Sequence, residues 1–247
     1  MENYYEKEQH ITAAFSDRRC ELDVYHATLL FQDAMTELFY QYQCDAVRLS
    51  KTHAAVWAVA RSKIRYLGMP LWNERVRVRA FPVKVTSVTI HINIQVETLE
   101  GQPLLLCRQE LCAIDVNDHS LRRVESTPFP RDLSLLPPVM TEPFQRKKLA
   151  LGSEHLAYRH IIRTSDTDMN HHMNNAAYVR LLLDAFPSGF WDEHPIRAFD
   201  IHYVSEGQEG EEIAILQDCQ GKDLDFQIKS GDRTLIKAHL ELGDSQA

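Results

Sequence analysis

The sequence predicts an α+β protein built from two similar halves, each a long helix lying against an antiparallel sheet. Three observations carry this expectation. Val88, Ile90, Ile92, Ile94 and Val96 alternate with Thr89, His91, Asn93, Gln95 and Glu97, and a period of two puts the branched side chains on one face of a strand. Within Tyr25–Tyr42, the sets Leu30, Ala34, Leu38 and Phe31, Met35, Phe39 each recur at i+4, which gives a helix one broad apolar face. Finally, parts of the chain recur. Leu30-Phe31-Gln32-Asp33-Ala34-Met35 matches Leu181-Leu182-Leu183-Asp184-Ala185-Phe186 at an offset of 151, and Ile64-Arg65-Tyr66 matches Ile201-His202-Tyr203 at an offset of 137. Glu74-Arg75-Val76 keeps the second offset against Glu211-Glu212-Ile213. Both matches fall at the same place in a strand–helix–strand order, as an internal repeat requires.

The elements follow in order. In residues 1–127 the helix Tyr25–Tyr42 leads to strands at Ala55–Tyr66, Arg75–Val83 and Ser87–Glu97. The turn Glu100-Gly101-Gln102-Pro103 then returns Leu104–Val116 as a hairpin partner. Residues 128–154 hold Pro128, Pro130, Pro137, Pro138 and Pro143 and the basic run Arg146-Lys147-Lys148, and read as an extended linker. In residues 155–247 a strand at His160–Arg163 precedes a helix at Ala176–Phe186. Asn174 or Asn175 caps that helix, and Pro187 and Gly189 close it. Strands at Arg197–Val204, Glu212–Cys219, Asp223–Lys229 and Arg233–Leu242 complete the half.

Composition narrows the function classes. With 44% hydrophobic and 25% charged residues the chain is an ordinary globular protein. A net charge of −8 disfavours general nucleic-acid binding, which needs a basic surface. Seven acids between Val204 and Asp225 face Lys222 alone, and most belong on a solvated surface. The charged start Met1-Glu2-Asn3-Tyr4-Tyr5-Glu6 is no signal peptide, and no apolar run approaches the ~18 residues of a membrane span. A cytoplasmic protein is expected. Cys20, Cys44, Cys107, Cys112 and Cys219 are scattered without a CxxC pair, and are expected as reduced, buried thiols.

The segment Ser165–Asn175 concentrates acids, amides and histidines just before a helix. A calcium loop starting at Asp166 fails at its sixth position, His171, and its twelfth, Ala177. A transition-metal site at His171 and His172 is disfavoured because neighbouring side chains point apart. A plain polar cap accounts for Asn174 or Asn175. In an extended stretch, however, the alternation of Asp168, Asn170 and His172 would place three polar side chains on one face. The chemical reading is a hydrolytic site. Free amides near Asn174–Ala176 and the side chain of Asn170 would bind a carbonyl oxygen as it becomes an oxyanion. His172 would move a proton near neutral pH, and a carboxylate would orient it or activate water.

Asp168-Met169-Asn170-His171-His172-Met173-Asn174-Asn175-Ala176-Ala177-Tyr178 resembles the D-x-N-x-H-x-N-N-x-x-Y signature of plant and bacterial acyl-ACP thioesterases. Ile201-His202-Tyr203-Val204-Ser205-Glu206 resembles the later strand of that family, which ends in a catalytic Glu. The resemblance covers nearly the whole chain. It implies two tandem hot-dog halves and hydrolysis of fatty acyl-ACP to free fatty acid and ACP. It assigns the catalytic set to Asp168, Asn170, His172 and Glu206, with no cofactor and no metal. The partner it implies is acyl carrier protein bearing a fatty acyl chain, with no nucleic acid and no membrane span. A homodimer is compatible with the sequence. Some plant members carry Cys directly after the Glu. Gly207 stands there in this chain, which speaks against a cysteine acyl-enzyme and for water as nucleophile.

Two alternatives stay open, an acyl-CoA thioesterase and a non-catalytic acyl-thioester-binding protein. The repeat offers a check that is independent of the family. At the corresponding positions the first half has Asp17 for Asp168, Arg19 for Asn170, Glu21 for His172 and Met69 for Glu206. One half would therefore do the chemistry, while the other would hold the acyl chain between Val88–Val96 and the Leu30, Ala34, Leu38 face. An acidic carrier would need a basic patch, either Arg75, Arg77 and Arg79 on one strand face or Arg146-Lys147-Lys148.

Overall fold

The computed structural model describes residues 2–145 and 148–244. They form two compact units, Met1–Asp23 with Leu29–Pro143 and Val24–Thr28 with Phe144–Ala247.

The first unit runs β1 (Tyr5–His10), α1 (Val24–Gln41), α2 (Ala46–His53), β2 (Ala55–Tyr66), β3 (Arg75–Val85), β4 (Ile90–Thr98), β5 (Pro103–Asp115) and the short β6 (Leu121–Arg122). Its antiparallel sheet has the order β1-β3-β4-β5-β2, with β6 beside β5. Leu30, Phe31, Ala34, Leu38 and Phe39 of α1 and Ile90, Ile92, Ile94 and Val96 of β4 are all fully buried, as both periodicities predict. Val88 precedes β4 and is only half-buried.

Two elements of this unit escape a reading of periodicity. Helix α2 buries only Leu49 and leaves Val47 exposed. Its ends define it instead, with Asp45 accepting the Arg48 amide and Ala54 in the left-handed region. Strand β1 is highly charged and sits at the sheet edge, where its register sets Glu6 opposite Arg79 and Glu8 opposite Arg77. Glu6 lies 3.0 Å from Arg79 and 3.5 Å from Arg77, and Arg77 lies 3.3 Å from Glu97. Two of the three arginines expected to attract an acidic carrier are thus already matched by acids. Arg75 and Lys148 are exposed; Arg146 and Lys147 lie outside the described residues.

The proline-rich segment is extended, and it is tied down along its length. Phe129 packs edge-on against Phe39 and Tyr42, with ring centroids 5.7 and 5.8 Å away. Asn93 accepts the amides of Val139 and Met140, at 3.0 and 3.4 Å. Lys63 and Arg108 donate to the carbonyls of Pro143 and Glu142. This strap crosses the polar face of β4 at Asn93, and Glu97 meets Arg77 and Gln95, so His91, Asn93 and Glu97 are buried although their alternation reads as solvent-facing.

Burial lowers the pKa of His91 below the ordinary histidine value, and the neighbouring Arg108 and Lys84 act in the same direction against Glu110. The unfolded chain therefore takes up a proton on this histidine at a higher pH than the folded one does. Stability from this group is present above the ordinary value of about 6.5 and is lost as pH falls through the lower folded value. Urea unfolding across pH 7.5 to 5 is expected to show a shallower acid-side loss in His91→Gln. An unchanged slope would refute the assignment.

The second unit runs β7 (Leu156–Ile161), α3 (Asn175–Leu183), α4 (Ser188–Glu193), β8 (Ile196–Tyr203), β9 (Glu212–Gln220), β10 (Asp223–Ser230) and β11 (Arg233–Leu242). Its antiparallel sheet has the order β8-β11-β10-β9-β7. The expected helix Ala176–Phe186 ends earlier, at Leu183, because Pro187 starts a new helix by serving as the N-cap of α4. Phe186 stacks on Phe190 of α4 at 4.2 Å and secures the corner. No helix among the described residues is long and apolar enough to cross a membrane.

Candidate active site

The site is built on the link between β7 and α3. A 3-10 turn at Thr164–Asp166 is followed by a tight reversal closed by two backbone bonds, Asp168 N–H to His172 C=O at 2.9 Å and His171 N–H to Asp168 C=O at 3.0 Å. The Asp168 carboxylate accepts the Asn170 amide at 2.8 Å, an Asx turn. His171 takes the left-handed conformation, φ 62°, that the reversal needs. Asp168–His172 is therefore a turn and not the extended stretch its alternation suggests. Its three polar side chains do not line one strand face.

Beyond the reversal, Met173 donates to the carbonyl of Gly207 at 2.9 Å and His172 bridges Gln208, which brings the loop after β8 alongside. This apposition sets His172 Nε2 3.3 Å from Glu206 Oε2, uniting two residues 34 positions apart. Asp168 is half-buried, and its side chain bonds the turn instead of the imidazole. Asn170 is exposed at the tip. Asn174 caps α3 by accepting the Ala176 amide, and its own amide donates to Asp166 C=O. Two of the amides expected to face a substrate carbonyl are thus occupied.

The first unit repeats this architecture bond for bond. Asp17 N–H meets Glu21 C=O at 2.8 Å, Cys20 N–H meets Asp17 C=O at 3.1 Å, and the Asp17 carboxylate accepts the Arg19 amide at 2.8 Å. Cys20 has φ 59°, like His171. Leu22 donates to Pro70 C=O at 2.8 Å as Met173 does to Gly207. The bridges Ser16–Leu22 and Glu21–Leu71 repeat Thr167–Met173 and His172–Gln208. The side chains are not repeated. Arg19 fills the first turn by pairing with Asp17 and Glu21, at 3.2 and 3.0 Å.

Residues 152–241 match the family model of the acyl-ACP thioesterase C-terminal domain. Among solved structures, an acyl-ACP thioesterase from Bacteroides thetaiotaomicron superposes with a TM-score of 0.85 at 17% identity, covering 98% of each chain. A 12:0-ACP thioesterase from Umbellularia californica superposes with a TM-score of 0.83 at 15% identity, also covering 98% of each. At this identity the likeness establishes the fold, two tandem hot-dog halves of helix on antiparallel sheet. A comparison with curated protein sequences finds no match.

The second unit holds a buried charge cluster next to its turn. Asp166, 1% exposed, accepts from His160 Nε2 at 2.7 Å and from the Arg163 amide at 2.8 Å, and also pairs with Arg180. Burial pushes its pKa up, but the bonds from His160 and Arg163 and the charge of Arg180 outweigh this and hold it below the usual carboxylate range. The first unit has Gln9, Phe15 and Leu29 at the corresponding positions. Sequence reasoning missed this cluster, and the absence of charge at the same positions of the repeat was the available signal.

The position after Glu206 cannot hold a larger residue without rearrangement. A Cβ on Gly207 would lie 2.7 Å from Ile162 Cδ1 and 2.9 Å from the Tyr178 hydroxyl. Of the cysteines, Cys44 and Cys107 are buried, and burial raises both thiol pKa values, that of Cys44 to about 12. Cys20 and Cys219 are exposed, contrary to the expectation of uniformly buried thiols. Among the described residues no group of three His, Cys, Asp or Glu side chains is arranged to hold a metal ion.

Proposed function

We propose that the chain hydrolyses fatty acyl-ACP to free fatty acid and ACP, with water as the nucleophile. The observation that carries this reading is the pairing of His172 with Glu206 at 3.3 Å beside the start of α3, on a scaffold whose twin in the first unit has neither residue. Glu206 takes a proton from water as the oxygen adds to the thioester carbonyl carbon. Asn170 and the Asn175 backbone amide hold the carbonyl oxygen while it carries negative charge. The carbon–sulfur bond then breaks, His172 delivers a proton to the departing sulfur, and the proton taken up by Glu206 passes to His172, which restores both groups. The acyl chain lies in the first half. The same reading places the protein in fatty acid biosynthesis in the cytoplasm. The family model that matches residues 152–241 and the ACP substrates of the two superposed thioesterases support ACP as the carrier.

Asp168 serves this site by building its turn. Asp17 makes the same bond in a turn with no pairing of this kind. Asp168→Asn keeps an acceptor oxygen and is expected to retain turnover within about twofold. Asp168→Ala loses the bond, about 1 kcal/mol, and is expected to fall about fivefold or more. Equal, large losses in both variants would instead give the carboxylate charge a direct role.

The decisive assay is release of free thiol by purified protein from acyl-ACP and, in parallel, from acyl-CoA. Faster release from acyl-ACP supports the proposal, faster release from acyl-CoA reassigns the carrier, and binding without release makes the chain an acyl-thioester binder.

A further inference from the structure

We propose that Tyr178 is a positioning residue for Glu206, acting through the backbone of Gly207. This rests on the hydrolase reading above. Tyr178 is buried in α3, and its hydroxyl accepts the Gly207 N–H at 2.9 Å. The carbonyl of the same glycine accepts from Met173, next to His172, at 2.9 Å. Arg233 donates to the carbonyl of Glu206 itself. The backbone of Glu206–Gly207 is therefore tied to the helix, to the site turn and to β11. The Glu206 side chain is 51% exposed and meets the imidazole of His172. A flexible, solvated carboxylate has many accessible rotamers, so its reach to His172 depends on where its backbone is anchored.

The internal repeat separates what the fold needs from what the site adds. The bond from the turn recurs in the first unit, where Leu22 donates to Pro70 at 2.8 Å. The bond from the helix does not recur. Ala27 stands in place of Tyr178 and has no hydroxyl, Pro70 stands in place of Gly207 and has no N–H to donate, and Met69 stands in place of Glu206. The same loop thus forms without this anchor where there is no carboxylate to place. In the second unit both partners are present together. The glycine is needed because a Cβ would lie 2.9 Å from the tyrosine oxygen. Burial also raises the phenol pKa, so the hydroxyl stays protonated over the working range.

The test uses the full chain with acyl-ACP as substrate. Tyr178→Phe is expected to lower kcat about tenfold and leave KM within about twofold. In a Glu206→Gln background the same change is expected to add nothing, because its effect passes through Glu206. Tyr158→Phe removes a hydroxyl bonded to the other end of α3, at Leu181 C=O, 2.6 Å, and is expected to leave kcat unchanged. An unchanged kcat in Tyr178→Phe, or fully additive losses in the double variant, would overturn the proposal. If Glu206→Gln itself keeps normal turnover, it is the hydrolase mechanism that fails. A crystal structure of Tyr178→Phe then decides the positioning separately. Opening of the His172–Glu206 separation beyond about 4 Å supports it, and retention of the 3.3 Å pairing refutes it.

Discussion

Alanine at His172 or at Glu206 is expected to reduce turnover of acyl-ACP roughly 10²-fold or more, with the fold intact. The two side chains are 32% and 51% exposed, so their pairing adds at most about 1 kcal/mol to stability. A large loss in rate with an unchanged unfolding midpoint would therefore report chemistry and not structure. Asn170→Ala belongs to the same set, since its exposed side chain has no part in the backbone bonds that close the turn. Near-normal turnover in Glu206→Ala would remove that carboxylate from the mechanism. An acyl group trapped on a cysteine would sink the water-nucleophile proposal. The buried thiols of Cys44 and Cys107, with their raised pKa values, are poor candidates for such a role.

The largest expected effect on stability is at Asp166. Replacing it with alanine leaves Arg180 and the Arg163 amide without their carboxylate, at a cost of about 3 kcal/mol. The low end of the range for a broken buried pair applies because Arg180 and His160 keep some contact with water. Activity should fall with stability, because the turn that presents His172 begins at this residue. The repeat supplies the control. Changing His160, Asp166 and Arg180 together to the Gln, Phe and Leu found at positions 9, 15 and 29 is expected to restore stability to within about 1 kcal/mol, since an uncharged set of similar size can replace a buried ionic one without leaving a charge unpaired. Urea unfolding measures both variants. If the triple variant is no more stable than Asp166→Ala, the two units pack this corner differently. The depressed pKa of Asp166 sets the sign with pH. Its stabilisation is present above the ordinary carboxylate value of about 4 and is lost as pH falls through the lower folded value.

Much of the fold was legible along the chain. The expected strands Ala55–Tyr66 and Arg233–Leu242 coincide with β2 and β11 at both ends, and the offset of 151 relates β1 to β7 and the start of α1 to that of α3. Elements whose definition is not apolar periodicity were missed. Strand β1 is held at its edge by charges on β3, α2 by its capping bonds, and α4 by the stacked ring of Phe186. The buried polar face of β4 was unreadable for a related reason. Alternation shows which side chains share a face, but a covering strap some 45 residues later decides whether that face meets water.

By itself the sequence determined the repeat, the helix-on-sheet character of each half and the residues of the polar turn, because periodicity and side-chain chemistry are local properties. Only the tertiary structure decided which of those residues meet. His172 and Glu206 are brought together by backbone bonds between the turn and the loop after β8. Asp168 turned out to be committed to the turn by a bond its twin Asp17 also makes. Tyr178 and Gly207 were visible as letters, but their bond depends on a helix and a loop converging from 29 positions apart. Such convergence is a property of packing in three dimensions, and no short-range pattern encodes it.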